Sequence, residues 1–210
     1  AYDAENDLVL LSARHKDAIV AVNKEDRSLA WILGDPTGWD GVDQSYFFTP
    51  EGEDFEWFYA QHNVSILDNG DIALFDNGTA KVKRVDGDNR VSGDNVYSRA
   101  VVYQIDTENM TVSQVTEYGK ERGADWYSDW ISGVVSLDGT QDHLWITAGS
   151  HLHSDEENRS DYYPKDMFVQ GLTKTTHIDQ VDNGELSFEL TISGDTYNAL
   201  TYRSFRMPLY

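Results

Sequence analysis

The 210-residue chain contains no cysteine. Disulfide staples, thiolate zinc sites and thiolate nucleophiles are therefore excluded, and redox usage says nothing about compartment. Proline is scarce, at four residues, and positive charge is far outweighed: 16 Lys and Arg face 37 Asp and Glu, giving a net charge of −21. Such a surface repels nucleic-acid phosphates and anionic membranes, so no nucleic-acid partner is expected; the acidity reads first as a solvated face. No apolar run reaches the roughly 18 residues that a spanning helix needs, and no membrane insertion is expected. A basic-then-apolar leader segment is missing from these residues. So are a Gly-rich phosphate loop, a Gly-x-Ser-x-Gly elbow and a His-Glu-x-x-His helix, which removes the common nucleotide, esterase and metalloprotease chemistries.

What is present favours strands. Tyr, Trp, Phe, Val, Ile and Thr are plentiful, Gly, Asp and Asn recur at turns, and no long stretch keeps a helical apolar period. Three units repeat one arrangement. Leu8 to Ala13, Ala18 to Asn23 and Ser28 to Leu33 form the first, whose opening strand is expected before Ala1 because Ala1 to Asp7 reads as a turn. Val64 to Leu67, Ile72 to Phe75, Ala100 to Ile105 and Thr111 to Tyr118 form the second, with Asp68-Asn69-Gly70-Asp71 as a hairpin turn. Gly133 to Leu137, Leu144 to Thr147, Phe168 to Leu172 and Leu186 to Ile192 form the third.

Sequence-local groups of four antiparallel strands predict an all-β chain of about three β-propeller blades, near 1–60, 61–123 and 124–210, in one partial domain. A sandwich is disfavoured because it would exchange strands between sheets. The insertion Asp35 to Tyr59 carries eight aromatic residues and reads as a packed cap or a binding wall. The acidic insertion Ser154 to Pro164 reads as solvated.

Few residues stand out chemically. His62 heads a hairpin, and Arg14 lies on an otherwise apolar strand, where alternation would turn the adjacent His15 to the other face. His151 and His153 are spaced by two, with Ser150 before them. His151 and His153 would share a face, but the surrounding carboxylates favour ion pairing over a metal site, and no metal is expected. Asp68-Asn69-Gly70-Asp71 and Asp86-Gly87-Asp88-Asn89 lack the spaced ligands and terminal Glu of a calcium loop and read as turns. Nothing implies a cofactor.

Several motifs occur in a fixed order: Ser12 to His15, Trp31 to Gly34 with Gly38-Trp39, Gln61-His62, Phe75 to Gly78, Tyr97 to Asp106, and Glu117 to Gly123. In this order they resemble the C-terminal half of bacterial arylsulfate sulfotransferases, over most of the chain and less so after about Ser136. The resemblance implies a six-bladed propeller with a central funnel. It also implies a nucleophile at His62 that is transiently sulfated, and a guanidinium at Arg14 that holds sulfuryl oxygens. The imidazole is a competent nucleophile near neutrality and its N–S adduct a good leaving group. Arg99, in Tyr97-Ser98-Arg99, resembles a family motif and is expected either to draw in sulfate or to pair between blades. Substrate contacts are expected at Arg99, Ser150 and His151.

The implied reaction is ping-pong transfer of a sulfuryl group from a phenolic sulfate ester to a phenol. The family's His-x-Asn motif and a further histidine would both fall before Ala1, so a fragment with part of a catalytic set is expected. Association with missing blades or with a second copy is expected as well, because a three-blade piece exposes sheet edges. The resemblance also implies an extracytoplasmic location, periplasmic or secreted. The competing function is a propeller module that binds without turnover; a sulfate-ester hydrolase is a weaker third reading.

Overall fold

The structure, a computed structural model, describes residues 1–79, 97–153, 173–194 and 199–207, without the side chains of 152, 153 and 173. The first sheet runs β1 (Tyr2–Asp3), β2 (Leu8–Ala13), β3 (Ala18–Asn23) and β4 (Leu29–Gly34) in sequential antiparallel order. The expected missing opening strand is thus β1, which pairs Tyr2 with Val9 and Asp3 with Leu8. Two residues are too few to show an alternating pattern, which is why this segment reads as a turn.

The second sheet comprises β5 (Thr49–Glu51), β6 (His62–Ile66), β7 (Ile72–Asp76), β8 (Arg99–Asp106) and β9 (Thr111–Tyr118). Its order is β5-β9-β8-β7-β6, with four antiparallel strands and β5 added parallel to β9 from the aromatic insertion. The third sheet is β10 (Gly133–Ser136), β11 (His143–His153), β12 (Thr173–Asp182) and β13 (Glu185–Ile192), again in sequential order. The strand expected at 168–172 falls outside the described residues. The strand that pairs with β11 and β13 is β12, whose start, Thr173-Lys174-Thr175-Thr176-His177, is too polar to read as one. The segments at 86–89 and 154–164 also lie outside the described residues.

Strand alternation explains how the sheets stack. On β7, Ile72 and Leu74 point into a core shared with Leu8, Leu10, Ile19, Trp31 and Leu33 of the first sheet. Their neighbours Ala73 and Phe75 point the other way, into a core with Val134, Leu144, Ile146 and Val181 of the third. Strand β8 divides likewise, Val101 and Tyr103 against Ala100 and Val102. The middle sheet is therefore covered on both faces, and each fully buried aliphatic or aromatic side chain contributes about 1.5–3 kcal/mol.

The aromatic insertion packs as a cap. Phe48 and Phe58 enter the first core, while Phe47, with Trp39, Val42 and Tyr46 beside it, covers Ala18 and Ile32 on the outer face of the first sheet. The third sheet differs at its far side: Leu186, Phe188, Leu190 and Ile192 of β13 remain 40–46% exposed.

Candidate active site

His62 and Arg14 come together because one short segment is stapled to one strand corner. The Gln61 amide donates to the Ala18 carbonyl at 2.8 Å and to Ser12 Oγ at 3.2 Å. One residue earlier, the Ala60 N–H donates to Asp17 Oδ1 at 2.7 Å. Residues 60–62 are thereby fixed to residues 12–18, between which lies Arg14. This arginine is not on a strand: Arg14–Lys16 form a tight helical turn that ends at Asp17 in the left-handed region, φ 50°. Alternation consequently does not apply to His15, which is exposed on the turn.

Strand β6 is distorted where His62 leaves it. His62 pairs with Phe75 and Ser65 with Ala73, so Asn63 and Val64 face a single residue, Leu74, across a bulge. Bulges re-aim side chains, and Val64 and Ile66 pack toward the first core while the His62 ring faces Asn77 and Tyr202. Asn63 adopts φ 57° and Ala60 φ 55°. Asn63 Nδ2 donates to the Val134 carbonyl at 2.6 Å, which ties the bulge to the third sheet. Left-handed non-glycine residues on either side of one histidine cost free energy that packing must offset, and such strain concentrates at functional positions.

The Phe75-Asp76-Asn77-Gly78 motif completes the other wall. Asp76 Oδ1 accepts from the N–H groups of Tyr59 and Gly78, and its Oδ2 accepts from Arg99 Nε at 3.0 Å. Gly78 sits at φ 67°, where a Cβ would collide with the Tyr97 carbonyl. Asn77, fully buried, places Oδ1 2.7 Å from His62 Nδ1, while its Nδ2 donates to the carbonyls of Ser128 at 2.8 Å and Ile131 at 2.9 Å. Ser98 Oγ links the carbonyl of Asn77 to the N–H of Ser128.

Burial and neighbouring charge act on both side chains. The half-buried His62 has its proton affinity lowered from the ordinary 6.5, first by burial and further by the charge of Arg14, against the favourable hydrogen bond to Asn77. Among the described residues Arg14 makes one long hydrogen bond, from NH2 to the Asp129 carbonyl at 3.4 Å, its buried Nε has no hydrogen-bond partner, and the carboxylates of Asp129 and Asp17 act on its charge. The Tyr202 ring lies perpendicular to that of His62 with centroids 6.3 Å apart, and Arg203 lies over the Tyr202 ring at 5.4 Å.

The other expected contacts sit elsewhere. Arg99 is fully buried within the second sheet, bound to Asp76, Glu117, Gln114, Tyr103 and the carbonyls of Glu56 and Trp57. Its donors are engaged by protein, so it is a structural pairing residue rather than a sulfate contact. Ser150 is also fully buried, donating to Asp129 Oδ1 at 2.8 Å and accepting from Lys174 Nζ at 2.7 Å. His151 is buried with Nδ1 donating to the Tyr127 carbonyl at 3.0 Å and its ring against His177. Ser150 thus holds Asp129, and His151 holds the nearby backbone at Tyr127. No group of three or more potential metal ligands occurs among the described residues.

Sequence reading named His62 and Arg14 but not Asn77, Tyr202 or Arg203 as part of the site. Asn77 had a signal, since it sits in one of the ordered motifs. Tyr202 and Arg203 had none, lying where the motif sequence has ended.

The family model described as arylsulfotransferase (ASST) matches residues 1–203. The chain is 32% identical to an arylsulfate sulfotransferase AssT of Escherichia coli and 29% identical to one of Lelliottia amnigena. Each alignment covers 97% of this chain but 34% of the relative, so the chain spans about a third of the length of these curated proteins. With the family model matching nearly its whole length, the chain belongs to the arylsulfotransferase family.

Proposed function

We propose that this chain carries the nucleophile and one oxyanion-binding arginine of an aryl sulfotransferase that works through a sulfohistidine. The observation that carries the reading is a half-buried, readily neutral imidazole within electrostatic reach of a guanidinium whose Nε has no hydrogen-bond partner among the described residues. In the first half-reaction a lone pair on His62 attacks the sulfur of an aryl sulfate. The S–O bond to the ring oxygen breaks, and the phenolate departs with the bonding electrons and is then protonated. In the second, an acceptor phenol gives up its proton, its oxygen attacks the same sulfur, and the N–S bond breaks to restore the imidazole. Arg14 offers N–H donors to the equatorial oxygens of each transition state, a contribution typically of ~10²–10³-fold per donor. Tyr202 offers an aromatic ring beside the reacting centre, and Arg203 adds positive charge in a chain of net charge −21.

The exposed apolar row on β13 supports the expectation that the third sheet packs against a further blade or copy, as a propeller requires. The function is tested by initial rates with 4-nitrophenyl sulfate and a phenol acceptor in the intact protein. Parallel double-reciprocal lines are expected, together with loss of both phenol release and transfer in His62→Asn. Normal phenol release by His62→Asn would overturn the reading.

A further inference from the structure

We infer that Asn77 is a positioning residue that holds the His62 ring in the tautomer with its proton on Nδ1, leaving the lone pair on Nε2 for attack. The inference rests on donor and acceptor counting. A carboxamide has two N–H donors on one side and an acceptor oxygen on the other. Asn77 Nδ2 lies 2.8 Å from the Ser128 carbonyl and 2.9 Å from that of Ile131, both of which can only accept. The opposite amide orientation would set an oxygen against two carbonyl oxygens inside a buried site. The atom facing His62 Nδ1 at 2.7 Å is therefore the acceptor Oδ1, and the ring nitrogen opposite it must carry the hydrogen.

The acceptors that fix the amide are themselves rigidly held. Ile131 and the adjacent Ser132 adopt φ 53° and 91°, and Ser128 is tied by Oγ to Ser132 Oγ and to the Gly149–Ser150 strand. Gly78, obliged to be glycine by the Tyr97 carbonyl, fixes the backbone on the other side. Nδ1 is taken up by Asn77 Oδ1, and the Ala60 backbone also acts on the ring, so it is Nε2 that is left to face a substrate.

An amide suits this place better than a carboxylate. When Nε2 attacks sulfur, the ring becomes an N-sulfoimidazolium with its proton still on Nδ1. A neutral acceptor holds that proton without stabilising the positive ring strongly, so the N–S bond remains easy to break in the second half-reaction. A carboxylate would favour the imidazolium before attack, removing the nucleophile, and would stabilise the cationic adduct after it. This part rests on the sulfohistidine reading; the tautomer itself does not.

Ring-¹⁵N-labelled protein tests it directly by long-range ¹H–¹⁵N correlation, with His62 assigned by its loss in His62→Asn. The expected spectrum above the ring's titration has a pyrrole-type Nδ1 and a pyridine-type Nε2; a pyridine-type Nδ1 would overturn the inference without any variant. Asn77→Asp should then move the acid limb of turnover to higher pH and slow acceptor-dependent desulfation more than sulfation. Unchanged limb and unchanged partition in a folded Asn77→Asp protein would refute the role given to the amide. Should the tautomer be as inferred and His62 never become sulfated, the proposed function fails while the positioning role stands.

Discussion

Two arginines taken from the same ordered set of motifs, Arg14 and Arg99, end in opposite circumstances. Arg99 is sealed inside the second sheet with Asp76 at 3.0 Å, Glu117 at 2.8 Å, Gln114 at 2.9 Å and three further oxygens around its guanidinium. Among the described residues Arg14 has one carbonyl at 3.4 Å and a buried Nε with none. A guanidinium has five donors in a fixed fork, and where the protein fills the fork the group is structure; where it leaves donors unmet beside a nucleophile, an anion can take them. The count of satisfied donors separates the two roles when sequence motif alone does not.

The sharpest way to break the contrast is to truncate each arginine. Arg99→Met would leave Asp76 buried beside an apolar group with Glu117 deprived of its partner, and should cost about 3–5 kcal/mol of unfolding free energy in urea titration. A cost under about 1 kcal/mol would mean that Arg99 is not the blade's anchor. Arg14→Met should leave stability within about 1 kcal/mol of the parent, because it removes a single weak hydrogen bond, yet reduce aryl sulfate turnover by ~10²–10³-fold. Equal losses of stability in the two variants would erase the distinction.

A smaller effect is expected where an ion pair joins the helical segment Lys120–Trp126, which follows β9, to the third sheet. Asp179, fully buried and 2.8 Å from Arg122 NH1, has its pKa pushed up to about 6, because burial outweighs the arginine's attraction. A carboxyl with a folded-state pKa above its unfolded value of 3.8 binds protons more tightly when folded. Its contribution to stability is therefore least favourable above pH 6 and improves as pH falls toward 3.8. Asp179→Asn should be neutral to mildly stabilising at pH 7, since Arg122 keeps Glu189, and that advantage should vanish near pH 4. Unfolding titrations at the two pH values check the sign.

The smallest shift concerns His62. Its pKa lies below 6.5, so the neutral nucleophile survives further into acid than an ordinary histidine, and the acid limb of kcat/KM should fall below that value. The same group makes folding slightly more favourable as pH rises from its folded to its unfolded pKa, and this contribution is lost again in acid. Removing the Arg14 charge should move the limb back upward. A limb that stays put in Arg14→Met would separate the two side chains electrostatically.

Much of this was legible in the sequence, for physical reasons that also mark where it stopped. Asp68-Asn69-Gly70-Asp71 located β6 and β7 because few residues tolerate the turn, and Ile72 to Phe75 alternate into two different cores as a doubly covered strand must. Strand β12 is hard to read in the sequence because Lys174 is buried through polar contacts with Asp129 and Ser150 rather than through apolar contact. The protein partners of Ser150 and His151 are equally hidden in the sequence, because they lie more than twenty residues away along the chain. Arg99 could have been assigned from register, since it stands directly across from Asp76 once β7 and β8 are aligned. The role of Asn77 could not, because it depends on carbonyls at 128 and 131 that only the folded chain brings near.

The central claim is that the imidazole at 62 becomes the covalent carrier with the guanidinium at 14 beside it. Intact mass spectrometry of the protein after exposure to 4-nitrophenyl sulfate without acceptor, followed by peptide mapping, tests this most directly. The account predicts a mass gain of one sulfuryl group, located on His62, absent in His62→Asn, and discharged when a phenol is added. A protein that releases 4-nitrophenol while carrying no sulfuryl group on His62, or that keeps its label in His62→Asn, would contradict it.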